Sequence, residues 1–434
     1  MIQSIFFILI TAFIASKAIS KYKSIYRNIN LGKDEQIIAS PNRLRNMIYF
    51  ALGQKKMFDR PIVGIFHLFI YTAFIITQIE LIEVFVDGIS GNHRIFASLL
   101  GGFYTLIINS IEVLSLLALV ATFIFLYRRN ILKLIRFQKP EMKGWPTMDA
   151  NIILLGEITL VIGIFLMNSS DQVLQKIDPS HYVQTGRFYL SSLISENMLS
   201  NFPKDWLVLF ERFGWWLHYL TVLGFVLYLP YSKHLHIFLA FPNAYFSRIS
   251  PRGEMGAMPA IENEVRGMIG LEIKNPDVIA PTNFGAKDIF DLSWRNLMEA
   301  YSCTECGRCT SVCPANLSGK KLSPRKIMMD IRDRMEEVGT KLDKLNSQAK
   351  EFDDGKNLFD LISREEIYAC TTCNACVQAC PVLINPLEPI LEMRRYDILM
   401  NSAGPSEWLP MFNSLENSQS AWSISSSRTE WAKD

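Results

Sequence analysis

Eight cysteines, all between positions 303 and 380, carry the most specific chemistry in the sequence. They stand in two runs of the form C-x2-C-x2-C-x3-C-P: Cys303, Cys306, Cys309 and Cys313 before Pro314, then Cys370, Cys373, Cys376 and Cys380 before Pro381. Three thiolates spaced by two residues wrap one corner of a cubane, the loop's N–H groups face its sulfides, and the fourth cysteine starts a helix leading to the other cluster. The expected ligand sets are therefore crossed, with Cys303, Cys306, Cys309 and Cys380 on one [4Fe–4S] cluster and Cys370, Cys373, Cys376 and Cys313 on the other. Structural zinc is the rival use of such spacing, but zinc takes four ligands from two separated pairs, not three from one short turn. No cysteine lies in the apolar half, which speaks for metal and against disulfides.

The six histidines offer a second kind of metal site. His67, His218, His234 and His236 lie in or at the ends of apolar stretches, where an imidazole is costly unless paired or bound to a metal. His67 and His236 fall at similar depth from the same side of the membrane, as the two axial ligands of a haem b require. His218 precedes His236 by five helical turns, about 27 Å on one continuous helix, and would suit a second haem. Its partner would be His93, or less readily His181; His234 is the alternate to His236. Three carboxylates, Glu80, Glu112 and Glu157, also fall within apolar stretches. A quinone reduced in the membrane needs protons with its electrons, and Glu112 or Glu157 is placed to deliver them. A protonated glutamate that merely helps helices pack is the rival reading of each.

These groups must be positioned by membrane helices. Of the 434 residues, 49% are hydrophobic, and five stretches, near 2–20, 61–86, 97–127, 149–168 and 213–241, have roughly the 20 apolar residues that cross a bilayer. The loops at 21–60 and 128–148 are basic and should be cytoplasmic, which puts the N-terminus outside, the metal domain in the cytoplasm, and the whole in the cytoplasmic (inner) membrane. A net charge of +2 gives no reason to expect nucleic acid. Residues 169–212 are expected to cap the outer face, 242–292 to link, and 293–399 to form the metal domain. Within that domain 323–337 should be a helix and 338–358 a solvated insertion, with no repeat beyond the cysteine runs. The polar tail 400–434, with Trp408, Trp422 and Trp431, reads as a docking segment. The fold class is mainly α: a five-helix cytochrome b-like membrane bundle followed by a helical ferredoxin-like 2[4Fe–4S] domain.

The fifth stretch, WWLHYLTVLGFVLYLPYSKHLHIFLAFPN, resembles the last helix of the nitrate reductase gamma-subunit family of cytochrome b, in which two histidines at this spacing bind haem; His218 and His236 match them. That family's second helix supplies two histidines ten residues apart. Here only His67 matches, with Met57 and Thr77 at the flanking positions. DLSWRNLMEAYSCTECGRCTSVCPANLSGKKLSPRKI looks like the iron–sulfur subunit of heterodisulfide reductases and related membrane-bound oxidoreductases. The resemblance implies a cysteine-rich CCG-type catalytic domain. With no cysteine after Cys380, that domain is expected as a separate subunit. It also implies an oxidoreductase subunit exchanging electrons with quinone in a respiratory chain, with electron-transfer flavoprotein as a plausible donor and a disulfide or sulfur compound as the competing couple. A membrane-anchored ferredoxin without haem is the alternative.

Overall fold

The computed structural model describes residues 2–251, 253–274, 276–345, 352–422 and 429–432. Among these residues there is no strand, only an isolated bridge between Lys33 and Ser293. Five helices are long and apolar enough to cross a membrane: α1 (Ile2–Ile29), α2 (Pro61–Ser90), α3 (Gly102–Asn130), α4 (Trp145–Ile177) and, after the short α5 (Tyr189–Ile194), α6 (Lys204–Tyr228). In lipid every backbone polar group must be satisfied within the helix, so these apolar runs have little alternative. Prolines in the first turns of α2 and α4 start them without losing a hydrogen bond, and Gly91, at φ 75°, ends α2. Ile5, Phe6, Leu9 and Phe13 point outward from α1, whereas Asn168, Ser169, Ser170 and Asp171 of α4 are fully buried. Polar side chains thus face inward, as a lipid solvent demands. The closest pair is α4 against α6, where a Cβ on Gly163 would lie 2.9 Å from the His218 backbone nitrogen and one on Gly214 2.6 Å from that of Met167.

The helices depart from the expected spans at several points: α1 runs on to Ile29, α6 starts at Lys204, and two further departures bear on the site. The stretch 213–241 is not one helix: α6 stops at Tyr228, tight turns occupy Leu229–Tyr231 and Lys233–Leu235, and α7 (His236–Phe246) starts afresh. Pro230 cannot donate to the helix, and Asp149, at the start of α4, takes the freed donors: Tyr228 Oη (2.6 Å), Ser232 Oγ (2.7 Å) and the Lys233 N–H (3.1 Å). His218 and His236 therefore do not share a helix, and the five-turn spacing does not apply. The fourth span continues past 168 to Ile177, so part of the expected outer loop is helix; Val173 and Leu174 then pack with Tyr182, Leu199 and Leu207 to make the cap.

After α8 (Pro259–Met268) the metal domain begins earlier than 293, because Ala286, Ile289 and Leu292 already belong to its core. A repeat does extend beyond the cysteine runs. Lys287-Asp288-Ile289-Phe290-Asp291-Leu292 recurs as Lys356-Asn357-Leu358-Phe359-Asp360-Leu361. Each copy folds into a tight turn closed by a reciprocal cap, Asp288 with Asp291 and Asn357 with Asp360. Each then leads into a serine-capped helix, α9 (Trp294–Tyr301) behind Ser293 and, after α10 (Pro324–Leu345), α11 (Arg364–Tyr368) behind Ser363. The expected helix at 323–337 is thus longer than its sequence signal; residues 346–351 of the expected insertion lie outside the described residues. α12 (Leu387–Leu399) completes the domain, and α13 (Trp408–Ser418) folds the tail back so that Trp408 meets Tyr368 edge to face at 5.6 Å. Residues 423–428 and 433–434 of the tail lie outside the described residues.

The basic segment 21–60, whose first nine residues are the end of α1 and not loop, is the seat of this domain. Lys21 pairs with Glu336 at 3.0 Å, Arg27 pairs with Asp343, Asn28 Nδ2 donates to Tyr301 Oη at 2.9 Å, and Lys33 exchanges backbone hydrogen bonds with Leu292 and Trp294.

Candidate electron-transfer centres

The two cysteine loops share one backbone device. Two residues after the first cysteine comes a left-handed residue, Glu305 (φ 53°) or Thr372 (φ 55°), and two further on another, Gly307 (φ 69°) or Asn374 (φ 61°). These positions curl the chain so that an N–H group points at sulfur, Thr372 N lying 3.4 Å from Cys370 Sγ; after the second run the left-handed Leu383 (φ 63°) turns Ile384 N to 3.3 Å from Cys380 Sγ. The fold brings Cys380 beside Cys303, Cys306 and Cys309, and Cys313 beside Cys370, Cys373 and Cys376. That is the crossed grouping expected from the spacing. Burial, reinforced by the neighbouring sulfurs, pushes the thiol of Cys303 up to about 11 and those of Cys376 and Cys380 up to about 12. As thiolates they need a cationic partner such as iron. Among the described residues no three His, Cys, Asp or Glu side chains converge on a single-ion site; cluster thiolates grip a wider object at its corners. Guanidinium groups stand ready to offset cluster charge, Arg308 and Arg332 at the first set and Arg394 at the second. Cys373 is the one exposed cysteine.

On the membrane side the structure gathers three of the predicted histidines. His67, in the second turn of α2, donates from Nδ1 to Gln54 Oε1 at 3.0 Å, and His236, at the start of α7, donates from Nδ1 to the Lys233 carbonyl at 2.9 Å. No described residue hydrogen-bonds to Nε2 of either ring. A ligand histidine shows this arrangement, one nitrogen held by an outer partner and the other open. The donor set thus fits a haem iron. His234 lies with its ring 5.7 Å from that of His236, but its buried Nδ1 has no partner, so nothing aims it.

Residues the sequence reading passed over connect the two centres. Gln54, in a left-handed conformation, holds His67. Two positions on, Lys56 Nζ donates to the Cys380 carbonyl at 3.2 Å, and Arg308, inside the first cysteine loop, donates to the Lys56 carbonyl at 2.7 Å. On the other side Lys233, whose carbonyl holds His236, forms a buried ion pair with Glu305 of the same loop, and Arg332 braces Glu305 at 2.8 Å. The one available signal was Glu305 and Arg308 themselves, charged residues within a metal loop.

The remaining candidates are placed otherwise. His218 Nδ1 faces the Leu160 carbonyl at 3.3 Å beside the seam that Gly163 and Gly214 close, and neither of its expected partners is turned toward it. His93 does not face His218: its Nε2 contacts Asp171 at 2.9 Å and its Nδ1 accepts from Val183 N at 3.3 Å. His181 is an exposed partner of Asp178. Glu112 Oε2 caps α5 by accepting from the Leu190 and Ser191 N–H groups at 2.9 and 3.2 Å, a structural duty. Glu157 makes no hydrogen bond or ion pair among the described residues, whereas Glu80 sits buried above a polar cavity at the end of the bundle away from the metal domain.

A family model described as a 4Fe-4S dicluster domain matches residues 302–384. Among curated proteins, the chain is similar to a probable iron–sulfur-binding oxidoreductase, FadF, of Bacillus subtilis, with 26% identity over 100% of this chain and 61% of the relative. An EtfAB:quinone oxidoreductase of Syntrophomonas wolfei is 24% identical over 88% of this chain and 52% of its own length. One component of a dihydromethanophenazine:CoB–CoM heterodisulfide reductase from Methanosarcina acetivorans is 31% identical over 30% of this chain and 31% of its own. The chain therefore spans between about half and three fifths of the first two relatives. No solved structure matches it. A helical protein with five apolar helices and an iron–sulfur dicluster domain, related to iron–sulfur oxidoreductases, is what these findings establish.

Proposed function

We propose that the chain is a membrane electron conduit between a partner on its metal-domain side and the quinone pool. In this reading the domain lies in the cytoplasm and the N-terminus outside the cytoplasmic membrane, as the basic segments 21–60 and 128–148 favour. Bound to these residues, two [4Fe–4S] clusters and one haem b would supply single-electron steps, and a quinone would collect two electrons with two protons. Cys303, Cys306, Cys309 and Cys380 hold the cluster nearer the membrane, and Cys370, Cys373, Cys376 and Cys313 the one nearer solvent, where Cys373 is exposed. His67 and His236 are the axial pair, and Glu157 the carboxyl that passes protons to quinone. A CCG-type domain or subunit meets the chain at the second cluster, by the exposed Cys373. An electron-transfer flavoprotein is the donor that the relatives favour; a disulfide couple is the other.

One observation carries this reading: both Nδ1-anchored imidazoles hang from segments that also grip the loop of Cys303, Cys306 and Cys309. Such shared anchoring fixes the distance between centres, which an anchor for a ferredoxin would not need. The test is a dithionite-reduced minus air-oxidised spectrum of the detergent-purified protein, with haem, iron and sulfide quantified on the same sample. Sharp b-type bands are expected, lost in His67→Ala and His236→Ala while iron and sulfide stay unchanged. Iron–sulfur bleaching without haem bands would reduce the membrane half to an anchor.

A further inference from the structure

The end of the bundle opposite the metal domain holds a cavity of about 130 Å³, lined by residues of α1, α2, α4 and α6 and of the turn after α2. A cavity of this size with a polar lining holds a short chain of waters, each of which needs two to four polar partners. The charged groups around it are almost all engaged. Glu83 accepts from Phe96 N (2.9 Å) and Tyr104 Oη (2.7 Å), and Asp87 from the Arg94 and Ile95 N–H groups (2.8 and 3.1 Å). Arg94 donates to Asp171 (2.6 Å), Asn168 (2.6 Å) and Tyr104 (2.8 Å); His93 contacts Asp171, and Arg212 pairs with Glu211.

Glu80 is the exception. It lines the cavity from α2, is 2% exposed, and neither of its oxygens has a hydrogen-bond partner. The amide nitrogen of Asn168 nearby is also unpartnered. An ionised carboxylate without a donor is costly at such depth, so the side chain is held neutral by a proton, which water in the cavity can bring or remove. A metal cation is not the better occupant: the neighbouring carboxylates spend their oxygens on N–H and O–H donors, and no three acidic, histidine or cysteine side chains converge among the described residues. Glu80 also lies thirteen residues beyond His67 on α2, about 20 Å along the helix, so it belongs to the far face and not to the haem-ligand pair.

We propose that this cavity is a proton site. Glu80 binds and releases a proton that exchanges through water with the aqueous phase on the face opposite the metal domain, past the exposed Asn92 at the mouth. No bond other than O–H changes, and Arg94, Arg212, Glu83, Asp87, Asp171, Glu211, the ring of His93 and Glu112 of the neighbouring α3 set the field in which it titrates.

Infrared difference spectroscopy of the full chain in lipid vesicles tests this. Wild type should show the C=O band of a protonated buried carboxyl that shifts on replacing H2O by D2O. Glu80→Gln should remove its own component of the exchanging absorption and leave that of the protonated Glu299, with iron and sulfide content unchanged. Asn92→Trp, a surface change that narrows the mouth, should keep the band but slow its exchange by about tenfold. A wild-type spectrum without the band, an exchanging band undiminished in Glu80→Gln, or unaltered exchange in Asn92→Trp would each overturn the proposal.

Discussion

Gln54 shows how much a metal site depends on a residue that never touches the metal. Its φ of 49° lies in the left-handed region, uncommon for a residue with a Cβ, and this conformation turns its amide toward His67 Nδ1. Loss of such an outer partner typically costs about 10–100-fold in metal affinity. Gln54→Asn is the informative change, because asparagine tolerates the left-handed conformation but its shorter side chain cannot reach the ring. The expected result is haem affinity lowered by about tenfold with iron and sulfide unchanged, read from haem content after titration of the apo-protein. Undiminished affinity would mean that His67 is aimed by something else. The same logic separates His236 from His234: two histidines two positions apart, of which only the first has an anchored Nδ1.

Between elements, the corner where α6 gives way to α7 joins the membrane bundle to the metal loop. Asp149 draws Tyr228, Ser232 and the Lys233 backbone into that corner, and the Lys233 side chain crosses to Glu305 while donating to the Pro146 carbonyl at 2.6 Å. Lys233 and Glu305 are both nearly inaccessible to solvent. Breaking a buried pair by removing one partner costs about 3–5 kcal/mol because a charge is left behind; Arg332 still braces Glu305, so the lower end applies. Lys233→Met should lower the melting temperature of the metal domain and slow electron transfer from clusters to haem, with all cofactors still bound. Lys233→Arg, which restores the charge, should recover most of the rate. A Met variant with wild-type transfer kinetics would show that the pair staples the fold without setting the distance between centres.

Across the whole molecule, the features legible in the sequence were those written as local chemistry. The cysteine spacing anticipated which thiols meet, because a C-x2-C-x2-C loop has few ways to curl, and five apolar runs of span length became five helices. The break after Tyr228 was not legible from hydropathy, because Pro230 alone permits either a kink or a stop, and the choice is made by Asp149, far away in sequence. The basic segment 21–60 carries a topology signal, yet Lys21 and Arg27, at the end of α1, and Lys33 beyond it also bind the metal domain, a use visible only once the domain is placed. Glu35 belongs to the same seat: Arg295 of α9 contacts it at 3.1 Å, Glu388 of α12 at 2.7 Å, and Glu299, 1% exposed, at 3.7 Å. Three carboxylates cannot all be balanced by one guanidinium, and burial pushes Glu299 up from 4.5 to about 8, with Arg295 and the Asn385 N–H opposing. The folded chain therefore holds a proton on Glu299 that the unfolded chain releases above pH 4.5, so this contribution to stability is whole at low pH and is lost as pH rises toward about 8. Wild type should thus lose melting temperature between about pH 4.5 and 8, on the order of a few kcal/mol in stability. Glu299→Gln, which cannot ionise and still offers Asn385 N an acceptor, should flatten that slope and be the more stable protein at the alkaline end. Parallel melting curves for the two proteins would place the ionised carboxylate in the native core and make Arg295 its sufficient partner.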